Sequence, residues 1–277
     1  MNCLKPEKKL AVVYGLVEGL SIRSISRMTG VHKTTISSFL CRLGEGCEKL
    51  LDETMKGLNL RSIQADEIWC YVGKKQKTLT RQERIHRPDL GDQYVFVALD
   101  ADTKLVPVFE VGKRDFHTTL KFMERLATKI SNRPQIFTDA FIPYPDVIDR
   151  VFGTNVDYAM IIKKFASEMD KEHRYSPPKI VDVIQRVIFG NPNIDEISTS
   201  YVERQNLTIR MQMRRFTRLT NAFSKSLKHL RSAIALHFAN YNFCRIHQSL
   251  RVTPAMAAGV SRNLWTLEDI LQWESNY

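Results

Sequence analysis

No stretch of this 277-residue chain approaches the ~18 consecutive apolar residues that a membrane span requires, and no signal-peptide pattern opens it at Met1-Asn2-Cys3-Leu4-Lys5. These two absences predict a cytoplasmic protein. Cysteine is sparse as well: Cys3, Cys41, Cys47, Cys70 and Cys244 are odd in number and scattered. None forms a C-x₂-C pair, which argues against a zinc ribbon and for reduced thiols. Twelve glycines include no GxxxxGK[ST] run, so no phosphate-cradling loop is present. The histidines do not group: His229 and His237 lie eight apart and His247 stands alone. No local signature supports a Ser or Cys nucleophile either. Whatever chemistry the chain performs falls to its carboxylates.

Acid is the other scarce commodity, and it is scarce in one place. The chain carries a formal charge of +11. Between Glu203 and Arg251 the only acid is Glu203, against ten bases that include Arg204, Arg210, Arg214, Arg215 and Arg218. Like charges at helical spacing repel, so such a segment needs a polyanion to screen it. A phosphate backbone does this and releases counterions as it binds.

Hydrophobic residues make up 43% of the chain, enough for a buried core. The first 55 residues read as helices. Apolar residues at Leu10, Val13, Leu16 and Val17 predict a helix over 6–18, and Ser21 is placed to cap a second running to Met28. A third is predicted from His32 to about Leu51. Aligned on Gly30, the residues Ile25, Ser26, Val31, Ile36 and Phe39 fill the positions that a helix-turn-helix needs. That leaves His32, Lys33, Thr34, Thr35, Ser37 and Ser38 outward on the third helix, with Arg23 and Arg27 beside them. Short polar and basic side chains in this position suit phosphates and base edges in the major groove. Glycine turns also join helices in many bundles, so the basic neighbours tip the reading toward DNA.

The period then changes. Strands are predicted over 62–72, 94–99 and 105–111, with a turn at Asp100-Ala101-Asp102 and Pro107 marking a sheet edge. A helix over 117–130, a strand over 135–138 and a helix over 146–152 follow. Three strands, a helix, a strand and a helix is the order of a ribonuclease-H-like domain, whose first and fourth strands lie side by side. Residues 165–200 read as an insertion or long loop. Residues 203–247 read as two helices broken near Thr220-Asn221, and a small helix is expected over 267–273.

On that order Asp66, in the first strand, and Asp139, ending the fourth, come together. Either alone is more often a turn or cap residue than a ligand. Strand alternation turns Glu67 to the face opposite Asp66. Glu203 shares a helix face with Asn206, Leu207 and Arg210. Two acids on strands and one on a helix can hold two Mg²⁺ ions for phosphodiester chemistry.

The segments QADEIWCYVGKK (64–75), ALDADTKLV (98–106), FTDAF (137–141), STSYVERQNLTIRMQMRRFTRLTNAFSKS (198–226) and NYNFCRIHQSLRVTPAMAAG (240–259) resemble the DDE transposases of bacterial insertion sequences, specifically insertion sequence one and its relatives. The resemblance covers nearly the whole chain. It implies a mixed α/β protein, with a helix-turn-helix in residues 1–58, a ribonuclease-H-like catalytic domain in 59–252 and a tail in 253–277. Asp66, Asp139 and Glu203 match that family's metal triad, and Arg210 its basic residue after the glutamate. Two Mg²⁺ ions, with Mn²⁺ as a substitute, are the implied cofactors. Double-stranded DNA is the implied partner, at terminal inverted repeats and at target sites. A homo-oligomer that holds both ends together and a nucleoid-associated location are implied as well. Residues 21–40 would read the repeats while Arg210, Arg214, Arg215 and Arg218 grip backbone. The chain departs from the pattern twice: Ala140-Phe141 follows the second aspartate where the family has glycine and a polar residue, and only Cys3 precedes the helix-turn-helix where some relatives carry a cysteine-rich segment. A DNA-binding regulator descended from such an enzyme, and a structure-specific nuclease of the same fold, remain the alternatives.

Overall fold

The structure, a computed structural model, describes residues 4–165, 180–217 and 220–275. Arg218 therefore lies outside the described residues. The chain opens with α1 (Pro6–Val17), α2 (Ile22–Thr29) and α3 (Lys33–Thr54). Pro6 suits the first turn of α1, where its missing N–H leaves nothing unsatisfied. The Ser21 hydroxyl accepts from the Ser24 N–H at 3.0 Å and caps α2, as its position predicts. Gly30 ends α2 at φ 69°, a left-handed conformation that favours glycine. His32 caps α3 through Nδ1, which accepts from the Thr34 N–H. Ile25, Val31, Ile36 and Phe39 are all buried.

Six strands form one mixed sheet in the order β3-β2-β1-β4-β5-β6. The antiparallel part is β1 (Ser62–Val72), β2 (Gly91–Asp100) and β3 (Val108–Gly112). Asp100 is the turn residue expected of it, its carboxylate accepting from the backbone and hydroxyl of Thr103 at 2.9 and 2.7 Å. β3 lies at the sheet edge, as Pro107 predicts. It starts later than residue 105 because Asn242 claims the Val106 backbone, donating to its carbonyl and accepting from its N–H.

Helix α5 (Phe116–Ala127) crosses over to β4 (Gln135–Asp139), which runs parallel to β1, so the first and fourth strands are neighbours as expected. Helix α6 (Pro143–Phe152) crosses to β5 (Asp157–Phe165), parallel to β4. β6 (Ile180–Phe189) returns antiparallel to β5. These last two strands are absent from the sequence reading, which took 165–200 as irregular. The reason lies in β6: its residues 180–187 are exposed on both faces, so its apolar residues follow no alternation.

The remainder is helical: α7 (Ser200–Gln212), α8 (Leu227–Ala239), the short α9 (Pro254–Ala257) and α10 (Leu267–Ser275). A further short helix, α4 (Arg81–His86), sits in the basic excursion after β1. Helix α8 crosses α3 closely. A Cβ on Gly44 would lie 2.3 Å from that of Ser232, so only glycine allows the approach. One buried cluster runs from Val12 through the sheet to Ile270, so the N-terminal helices and the sheet share a core. A smaller cluster, Phe137, Ala159, Ile161 and Ile197, lies apart from it beside β4 and β5.

Candidate functional site

The β1–β4 ladder ends at Ala65 opposite Thr138, which makes Asp66 and Asp139 the next residues on adjacent parallel strands. A helix is tied down beside them. The buried Gln64 side chain accepts from the N–H groups of Tyr201 and Val202 at 2.8 and 3.1 Å, satisfying two donors of the first turn of α7. One turn on, Asn206 Nδ2 donates to Asp66 Oδ2 at 2.8 Å. Gln64 and Asp66 share a face of β1, so two side chains of alternate strand residues fix both the start and the middle of α7. Glu203 sits between these anchors. Its carboxylate takes hydrogen bonds from Lys163 of β5 and from the Thr199 hydroxyl, and its side chain is 44% exposed.

The sequence reading placed Glu67 away from the site, and the structure corrects this. Oxygens of Asp66, Glu67 and Asp139 all lie within 4.8 Å of one another, the one group of three such ligands among the described residues. Alternation does send Glu67 to the other face. However, β4 gives β1 no partner beyond Ala65, so carboxylates from both faces meet around the end of β4. There Glu67 accepts from the Tyr144 hydroxyl of α6 and from Arg114 Nε at 3.0 Å, with its side chain only 1% exposed. An acid with its side chain buried in a strand needs such partners, and that is the available signal. Glu203 stands outside this tight group, although its charge acts on both aspartates.

Arg114 joins the parts. Besides Glu67 it reaches Asp139 Oδ2 at 3.4 Å, and its guanidinium lies 4.1 Å from the centre of the Phe141 ring. Phe141, part of the departure after the second aspartate, thus supports the cation that faces that aspartate. Its N–H also donates to Asp139 Oδ1 at 3.0 Å.

The carboxylates crowd one another. Burial, then the charges of Asp139 and Glu203, push the Asp66 pKa up to about 7 against the pull of the Glu67 N–H and Asn206. Burial and Asp139 push Glu67 up to about 7 as well, against the Tyr144 hydrogen bond. Burial raises Asp139 too, opposed by the Phe141 N–H, Arg114 and Lys163. Buried like charges of this kind are relieved by a cation. The donors fit a hard divalent ion, because all are oxygen. Beside Asp66, the buried Asn206 Oδ1 has no hydrogen-bond partner, which adds an unsatisfied oxygen to the set.

The basic residues gather elsewhere. Arg23 of α2, Lys33, Thr34, Ser37 and Ser38 of α3, and Arg214 and Arg215 line an open groove of about 950 Å³. Phe223, Lys225 and His229 complete it. Arg215 Nε donates to Ser224 Oγ at 2.9 Å, and burial lowers its pKa. Arg27, His32 and Thr35 are exposed but do not line the groove. Arg210 lies half-buried on α7, two turns beyond Glu203. Among the described residues no helix is long and apolar enough to cross a membrane.

No protein-family profile matches the sequence, and no curated protein matches it. Solved structures that are similar in part include two Mos1 complexes. One is the crystal structure of the Mos1 strand transfer complex, at 15% identity over 57% of this chain and 60% of that one, with a TM-score of 0.23. The other is a Mos1 transposase paired-end complex with the left transposon end, at 14% identity over the same shares, with a TM-score of 0.21. The chain thus spans less than two thirds of either protein, and what it does has to be argued from its own residues.

Proposed function

We propose that the chain is a metal-dependent DNA strand-cleaving and strand-transferring enzyme, a DDE transposase of the insertion-sequence-one kind that its sequence resembles. The observation that carries the proposal is the junction of β1, β4 and α7. Asp66 and Asp139 stand on neighbouring strands, and the Asn206–Asp66 hydrogen bond holds the helix bearing Glu203 over them.

Asp66, Asp139 and Glu203 would hold two Mg²⁺ or Mn²⁺ ions, with Glu67 beside them. When bound, such ions activate the attacking oxygen and stabilise the leaving one. The remaining work belongs to the chain. Gln64 and Asn206 keep α7 in place, while Arg114 restrains Glu67 and Asp139. Arg210 faces substrate phosphate. The groove of Arg23, Lys33 and Arg214 takes double-stranded DNA, so that α3 reads the terminal repeats; Arg27, His32 and Thr35 flank the reading face. Water attack on a phosphodiester frees a 3′-OH at the element's end. That hydroxyl then attacks a target phosphodiester, exchanging one ester for another and releasing a new 3′-OH. Bringing two ends together requires more than one copy of the chain.

The test incubates the purified protein with Mg²⁺ or Mn²⁺ and DNA spanning both flanks of its own gene, mapping nicks at nucleotide resolution. Metal-dependent 3′-OH ends at inverted repeats are expected. Asp139→Asn should lower their rate by about 1,000-fold or more, since a neutral amide replaces a ligand carboxylate. Cleavage that survives in Asp139→Asn would refute the assignment. Tight binding of the native chain without cutting would favour the regulator.

A further inference from the structure

We infer that β6 joins two copies of the chain edge to edge, as an antiparallel pair centred on Ile184. β6 is the last strand of the sheet, paired only with β5 among the described residues. An open edge of this length is a template for another strand. Here it is also apolar, with Val181, Val183 and Val187 exposed at 60%, 51% and 44%. Natural edges are commonly protected by charges of one sign, which repel a second copy. β6 instead carries one charge of each sign, Asp182 and Arg186, four residues apart.

That spacing selects a partner and a register. Residues 182–187 pair without interruption against 164–159 of β5, so their side chains alternate regularly between the two faces. A two-fold axis normal to the sheet maps each face onto itself, so only residues of like parity face each other across it. Of the registers this permits, only the one centred on Ile184 sets Asp182 against Arg186 of the second copy, and symmetry makes that pair twice. The same register sets Ile184 against Ile184 of the second copy. Opposite charges and β-branched pairs directly across from one another stabilise antiparallel strands, whereas like charges there do not. Asp182 keeps its exposed Lys164 partner on β5, at 3.1 Å, on its other side. Pairing of this kind needs neither metal nor DNA, so its test stands or falls apart from the proposed chemistry.

A junction of one strand pair falls below the ~1,200 Å² of a standard interface, so dissociation on the order of 10 µM is expected. Sedimentation of the full-length chain across that range should show a dimer. Arg186→Asp should weaken it about 10-fold or more, because each Asp182 then faces an acid. Adding Asp182→Arg in the same chain should restore most of the loss. Ile184→Cys, on the axis, should form a disulfide-linked dimer under mild oxidation, while Val187→Cys, in the same regular stretch but away from the axis, should not. A native chain monomeric at about 100 µM would overturn the inference. So would equal cross-linking of the two cysteine variants, or insensitivity to Arg186→Asp.

Discussion

Two buried carboxylate sites in the same sheet are built in opposite ways. Glu110 of β3 has a side chain only 1% exposed, yet three cations surround it. Lys121 donates at 3.0 Å, Arg125 at 2.7 Å and Arg231 at 2.9 Å. Burial alone would raise its pKa, but Arg231, Lys121 and Arg125 outweigh it and hold the carboxyl below its usual range. At Asp66 and Glu67 burial is reinforced by neighbouring acids, and both rise to about 7. One site is already neutralised by the chain, so it fastens α5 and α8 to β3. The other is left short of positive charge, which marks it as the place where something else binds.

Removing the charge at each site should separate them most clearly. Glu110→Gln leaves three cations around a neutral amide in a buried position. Breaking a buried ion-pair network in this way costs about 3–5 kcal/mol, so a large fall in the denaturation midpoint is expected. The comparison would break if Glu110→Gln unfolded at the same denaturant concentration as the native chain.

The two sites were unequally legible in the sequence. The nearness of Asp66 and Asp139 is legible because the strand order makes the first and fourth strands neighbours, and Glu203 stands out because it shares a helix face with Asn206. Glu67 was missed because the alternation rule assumes a strand flanked on both sides. Here the β1–β4 ladder stops at Ala65, and the rule loses its force two residues beyond it, at Glu67. Arg114 was beyond reach too, since nothing local links it to residues 47 positions earlier in the chain. The cations around Glu110 come from two separate helices, α5 and α8, which only the tertiary fold assembles. β6 was invisible for a different reason, its exposure on both faces.

A smaller effect of opposite sign is expected at the other site. Asp66→Asn removes a carboxylate whose ionised form is opposed by Asp139 and Glu203, while the amide still accepts from Asn206. At pH 8, without metal, the variant should be more stable than the native chain by on the order of 1–3 kcal/mol. Chemical denaturation reads this directly. A metal-free Asp66→Asn protein less stable than the native chain at that pH would mean that Asp66 holds the fold together, as Glu110 does.

The gentlest discrimination is by pH and magnesium together. A carboxyl raised in the folded state keeps its proton there after the unfolded chain has lost it. Stability is therefore lost as pH rises from the ordinary carboxylate range through about 7, the value reached by Asp66 and Glu67. Glu110, held low, contributes stability that is present at neutral pH and disappears only on acidification. The metal-free native chain should thus melt lower at pH 8 than at pH 5.5, by a few degrees, with the slope reduced in Asp66→Asn. Millimolar Mg²⁺ should reverse the loss at pH 8 and do little at pH 5.5, because only ionised carboxylates bind it. Glu110→Ala would leave the magnesium shift in place, since its cations already occupy the role. A magnesium shift of equal size at both pH values would place the ion away from Asp66 and Glu67.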